Sequence, residues 1–320
     1  FCGSYGTKNG VNSYWSSPKF KKNKFKTLAK YLQDENFVTH ADSINTLVLP
    51  KTGFDDLIVH DELTDDLTQR HIELLNQVDK YKKAGKKFFL YLHYSNIHTE
   101  IMQNVLKKYN NFSSEYFSNK EKNIQFYNKL FFDSDVYLGK ILQHYQNLNL
   151  DEDTLLVVIS DHGISTGEKF GERGYGVFCY DYTLLSGAMF CHKNIKPIQI
   201  KNQVRSIDIL PTILELLSIN QDPAYEKIQG KSLVPLMNGK IESRIAFSQS
   251  GNPLSSSKPP KEPNVSAVRT DEWKFILNHY DDTEELYNLK TDPKENNNLV
   301  TKENKIVQDL RKILKNHLEL

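Results

Sequence analysis

The sequence predicts an α/β protein with a mostly parallel central sheet and a small α+β subdomain at its C-terminal end. Three observations carry that expectation. Two unbroken apolar runs, within Lys87 to Tyr94 and over Leu155 to Ile159, read as strands buried on both faces, because a half-exposed strand would alternate. A long amphipathic stretch from Asn123 to Leu148 lies between them, giving strand, helix, strand and the usual right-handed crossover. Beyond residue 250, short strand-like segments are followed by one amphipathic helix, so the predicted division is 1–250 for the α/β domain and 251–320 for the subdomain.

The elements follow in order. Residues 1 to 16 are turn-rich, and Lys22 to Gln33 is a basic segment with Leu28, Ala29 and Leu32 at helical spacing. Phe37 to Thr39 is a short strand, and Thr52 to Asp56 a turn. Thr64 is the expected N-cap of a helix whose face carries Leu67, Ile72, Leu75 and Val78, closed by Gly85. Ala188 to Cys191 is a further strand. Val204 to Ser218 is helical, with its main part starting near Pro211, since a proline is tolerated only in a first turn. Residues 251 to 264, rich in Ser, Pro and Lys, form an exposed linker. Ser266 to Arg269, Trp273 to Leu277 and Glu285 to Leu289 are strands, and Lys302 to Leu318 the terminal helix.

Composition removes several function classes. The 320 residues carry 41 basic and 40 acidic side chains, a net charge of +1, which gives no reason to expect nucleic acid as a partner. No stretch approaches the roughly 20 apolar residues of a membrane span, and no signal peptide opens the chain, so a cytoplasmic location is expected of these residues. Cys2, Cys179 and Cys191 are too few and too scattered for a disulfide framework. Oligomeric state is not encoded in any recognisable pattern.

Chemistry concentrates where the second apolar run stops. Ser160, Asp161, His162 and Gly163 follow it directly, at the carboxyl edge of a central strand, the usual ligand edge of such sheets. Asp161 and His162 can both reach one cation, the carboxylate giving charge and the imidazole a nitrogen, while Gly163 turns the backbone without a Cβ clash. The first run ends the same way, in Ser95-Asn96-Ile97-His98, which places His98 on the same edge if both strands lie parallel in one sheet. The loop from Gly163 to Gly176 carries Glu168, Lys169, Glu172 and Arg173, and a charged loop of this kind can supply a cation to a bound oxyanion.

Taken together, these residues resemble the sulfatase family of the alkaline phosphatase superfamily. The match runs through Asp135 to Gly139, Ile159 to Gly163, Arg205 to Thr212, Gly230 to Leu233, Val268 to Lys274, Glu285 to Leu289 and Asp292 to Glu295. The resemblance implies an alkaline-phosphatase-like α/β/α sandwich and hydrolysis of a sulfate or phosphate ester, of a small molecule or a glycan. It also implies one divalent cation, calcium first, with manganese or zinc as alternatives. By position, Asp161 and His162 look like two metal ligands, and His98 like the family's histidine that contacts the ester or protonates its leaving oxygen. This chain departs from the family at several places. The acidic pair of the first strand and the nucleophile would precede Gly3 to Val11, so the nucleophile is not identified and Cys2 reads as structural. The flanking prolines around His98 are absent. Gly176 to Cys179 precede Tyr180-Asp181 where the family places a Lys or His, so Lys169 or Arg173 is the substitute. The expectation is a sulfatase-like hydrolase whose 320 residues are inactive alone. The alternatives are a phosphoethanolamine-type transferase, or a catalytically silent sulfatase-like binding protein.

Overall fold

A computed structural model describes residues 1–109, 113–254 and 260–319, so the middle of the expected linker, residues 255–259, lies outside the described residues. Three strands form a parallel sheet in the order β2-β1-β3: β1 (Val38–Ser43), β2 (Asp56–Val59) and β3 (Phe88–Leu92). With a partner on each edge, β1 is the buried centre of that sheet. Its Thr39, His40, Asp42 and Ser43 are nonetheless polar, which is why hydrophobicity read only its first residues as a strand. β2 went unread because four residues are too short to show a period.

The run after Thr154 becomes β4 (Leu156–Ile159), and it pairs antiparallel with β5 (Ala188–Cys191). Among the described residues neither β3 nor β4 has a second partner strand. Both are half-buried, not sealed on both faces as their composition suggested, and Ile159 is 50% exposed. They still share a layer. Phe88 and Leu90 of β3 and Leu156 of β4 pack on α2 (Leu67–Lys83) and α4 (Lys120–Asn147). On the opposite face Phe89, Leu155 and Val157 pack on α1 (Leu28–Asp34) and α6 (Ile209–Leu216). Helices on both faces of the strands make the α/β/α sandwich.

Local chemistry sets the helix ends. Asp66, and not Thr64, caps α2, its carboxylate accepting from the amides of Thr68 and Gln69. Pro211 sits in the first turn of α6, where no intrahelical donor is lost. Between these lie the short α3 (Asn96–Ile101) and α5 (Asp181–Leu184).

The C-terminal subdomain is an antiparallel sheet, β6 (Ala246–Ser250), β7 (Val265–Arg269), β8 (Trp273–Asn278) and β9 (Thr283–Asn288), covered by α7 (Asn304–Leu318). Val307, Leu310 and Leu314 of α7 pack on Val268, Phe275 and Leu286, and burial of each such side chain contributes about 1.5–3 kcal/mol. β6 precedes residue 251, yet all five of its residues pair with β7. A division at 250 therefore falls inside a hydrogen-bonded sheet.

Candidate functional site

Four strands deliver titratable side chains to one edge. Asp42 lies near the end of β1, His60 follows β2, His93 follows β3, and Asp161 with His162 follows β4. The electrostatic influence of Asp161 reaches His93, Tyr91, Tyr127 and Tyr175, which puts the β4 exit beside the parallel strands' exits.

Tyr175 is the common wall. His98, carried by α3, stacks on its ring at 5.2 Å and 8°, and His162 meets the same ring edge-on at 5.7 Å and 74°. The Tyr175 hydroxyl donates to the His98 carbonyl at 3.3 Å. His98 Nε2 also stands 3.8 Å from the Glu62 carboxylate. Burial pushes the Tyr175 phenol well above its ordinary pKa, and Glu62 and Asp161 add to the push, so the ring is neutral at any working pH. Burial, with His60 nearby, holds the His93 imidazole below its usual value.

His162 donates from Nδ1 to the Gly163 carbonyl at 2.7 Å, so in the neutral ring Nε2 is the atom able to bind a cation. Nε2 lies 3.6 Å from Asp161 Oδ2. Two electron-rich atoms at this separation suit a shared cation. The Asp161 side chain is 80% exposed and the His162 side chain 41%, so both are reachable. Among the described residues no three His, Cys, Asp or Glu side chains form a group able to hold a metal. The pair has the right donor chemistry and half or fewer of the four or more ligands a closed site uses.

Gly163 sets the approach of this exit to α5. A Cβ there would lie 2.3 Å from the Tyr182 carbonyl oxygen, while the Gly163 amide donates to Thr183 at 2.9 Å. Gly163→Ala is expected to cost about 1–3 kcal/mol through this forced backbone shift, measured by urea unfolding. An unchanged midpoint would show that the approach relaxes freely.

Lys169 points elsewhere. Its ammonium donates to the Glu295 carbonyl, lies 3.4 Å from Asn296 Oδ1, and sits over the rings of Tyr180 and Tyr287 at 5.1 and 5.8 Å. None of these partners belongs to the Tyr175 cluster. Arg173 donates to the Leu254 carbonyl at 3.1 Å. Cys2 is buried, with Asn9 Nδ2 at 3.3 Å from its sulfur. Cys179 is buried and its thiol is pushed up to about 12, while Cys191 is exposed; all three are free thiols.

Behind the site lies a network that sequence reading missed. Asp42, fully buried, accepts from Arg70 Nε at 2.8 Å and contacts His71 Nε2 at 3.1 Å and His60 Nδ1 at 3.3 Å. His60 Nε2 reaches Ser95 Oγ at 2.9 Å, and His71 Nδ1 reaches the Tyr137 hydroxyl at 2.5 Å. Three residues beyond Ser95 is His98, and two beyond His60 is Glu62. The network thus ties together the loops that carry the Glu62–His98 pair, a tie made again by Thr99 donating to the Glu62 carboxylate at 3.2 Å.

Solved structures that share this architecture include sulfatases. One described as a 2-O GAG sulfatase superposes with a TM-score of 0.75 at 18% identity, covering 100% of this chain and 80% of that one. Another, solved with its substrate D-glucosamine-2-N,6-O-disulfate, gives 0.68 at 16% identity, covering 99% and 86%. The fold is that of the alkaline-phosphatase-like sulfatases. The chain belongs to the Sulfatase family, whose model matches residues 1–219; a second model, N-sulphoglucosamine sulphohydrolase, C-terminal, matches 187–320. Among curated relatives, arylsulfatase K of Gallus gallus is 30% identical over 205 residues, 59% of this chain and 36% of the relative. Choline-sulfatase of Rhizobium meliloti is 25% identical over 185 residues, 56% and 34% respectively. The chain thus spans about a third of the length of these relatives. No helix among the described residues is long and apolar enough to cross a membrane.

Proposed function

We propose that this chain contributes one side of a divalent-metal-dependent site for sulfate-ester hydrolysis, with Asp161 and His162 as two cation ligands and His98 as the group beside the ester. The observation that carries this reading is the convergence of His98 and His162 on one ring, Tyr175, next to an exposed carboxylate. A bound cation, calcium first and manganese or zinc as alternatives, would neutralise charge on the ester oxygens. His98 is then the proton carrier near the leaving oxygen, its plane fixed by Tyr175 and its Nε2 direction by Glu62. Lys169, turned towards Glu295, has no part in this reading. No nucleophile is assigned among the described residues in this reading.

The test is turnover of an aryl sulfate and of the matching aryl phosphate by these residues alone and by the protein including any contiguous coding sequence. No turnover is expected from the 320 residues. The longer protein is expected to hydrolyse the sulfate with added divalent cation, losing about 10²–10⁴-fold in rate with His98→Ala. Preference for the phosphate would mark a phospho-group enzyme. Cation-independent silence of the longer protein on both esters would mark a binding protein and end the hydrolase reading.

A further inference from the structure

Residues 1 to 33 contain seven lysines and not one Asp, Glu or Arg, in a chain whose total charge is only +1. Folding gathers six of the seven. Lys22, Lys26 and Lys30 line an open pocket of about 160 Å³ together with Asn23, Thr27 and Tyr225. Lys24 joins its edge through the Glu226 amide, which donates to the Lys24 carbonyl at 2.8 Å, and Lys21 reaches the Lys8 carbonyl at 2.9 Å, with Lys8 3.9 Å from Glu226. The carboxylates nearby are Asp34, Asp222 and Glu226. Asp34 and Asp222 both hold the buried Lys26 ammonium at 2.8 Å, and Asp34 also holds Lys30 at 2.7 Å. Six lysines against three carboxylates leave a positive surface, and Lys21, Lys22 and Lys24 are exposed.

We propose that this lysine-rimmed pocket docks a sulfated polysaccharide. Compact, strongly hydrated ammonium groups on flexible stems match sulfates spaced irregularly along a polymer. The carboxylates and the exposed Asn23 side chain at the rim give acceptors and donors for sugar hydroxyls, which a nucleic-acid backbone does not offer in number. The absence of arginine in this segment, the usual bidentate reader of phosphate and bases, also favours a glycan over nucleic acid. The polymer class is taken from the sulfate-ester reading above, but docking requires no turnover, so either idea can fail without the other.

The experiment is titration of the 320-residue protein with heparin at low and at physiological salt. The triple variant K21E/K22E/K24E is compared with K302E/K305E/K312E, which removes the same charge from exposed positions at α7. Wild type is expected to bind, weakening as salt rises. The first variant is expected to lose about tenfold or more in affinity, and the second less than threefold. Equal loss in both variants would reduce the effect to net charge and overturn the proposal, as would no binding by wild type. Single-stranded DNA of matched charge competing as well as heparin would overturn the glycan assignment.

Discussion

Replacing Lys274 with Ala is expected to lower the unfolding free energy by about 3–5 kcal/mol, because it leaves buried carboxylates without their cation. Lys274 has no exposed surface, and its ammonium lies 2.8 Å from Asp181 and 2.9 Å from Glu295. The Glu295 contact is an ion pair without the alignment of a hydrogen bond, so Glu295 Oε1 has no other support. Burial alone would raise the Asp181 carboxyl; Lys274 and Arg269 outweigh it and hold the group below its ordinary value. Glu295 goes the other way, raised by burial with Asp181 beside it. Removing Lys274 therefore leaves Arg269 to neutralise Asp181 while Glu295 must take up a proton. Asp181 opens α5, the segment that closes the Tyr175 loop, so this ion pair is one of the ties between the subdomain and the candidate site. Urea unfolding of K274A measures the loss, and K274M/E295Q, which removes charge in a pair, should recover part of it. A loss under about 1 kcal/mol in K274A would mean that the carboxylates escape to solvent.

The second large effect is expected from Asp42→Ala, again about 3–5 kcal/mol, since one buried carboxylate serves Arg70, His60 and His71 together. Its desolvation is outweighed by the hydrogen bonds from His60, His71 and Arg70, and its pKa falls well below the ordinary 3.8. The sign follows from that depression. Stability from Asp42 is fully present above the unfolded-state pKa near 3.8 and is lost as pH falls from there through the lower folded value. Wild type should therefore lose stability on acidification below about pH 4 more steeply than Asp42→Asn does. Parallel slopes would show that Asp42 is not ionised in the fold. Because His60 passes the anchor on to Ser95, both Asp42 variants should also shift the His98 imidazole resonances, whereas Gly163→Ala, acting from the β4 exit, should move those of His162 first.

Sequence reading recovered what periodicity encodes. The apolar strand after Thr154, the amphipathic α4, the terminal helix and the short strands of the subdomain each carry a pattern that water selects locally, and the order of the motifs was enough to indicate the family. The Asp161-His162-Gly163 exit was legible because an apolar run stops abruptly at polar residues. His98 was legible for the same reason. Asp42, His60, His71 and Glu62 were not, since each looks like an ordinary polar residue until tertiary contacts supply its partner. Tyr175 reads as a loop aromatic among many. Lys169 was placed with the oxyanion by its loop alone, while the fold draws its ammonium into a nest of Glu295, Asn296 and two tyrosine rings.

Sequence alone thus determined the α/β class and the family, and it singled out the Asp161-His162 pair, because short-range burial patterns and contiguous motifs are properties of neighbouring residues. The tertiary structure decided which strand is central, where Lys169 points, and that Asp42 supports the His98 loop through His60 and Ser95. Those outcomes depend on polar and charged groups meeting across 18 or more residues of chain. A buried carboxylate is tolerated only where its partners arrive in three dimensions.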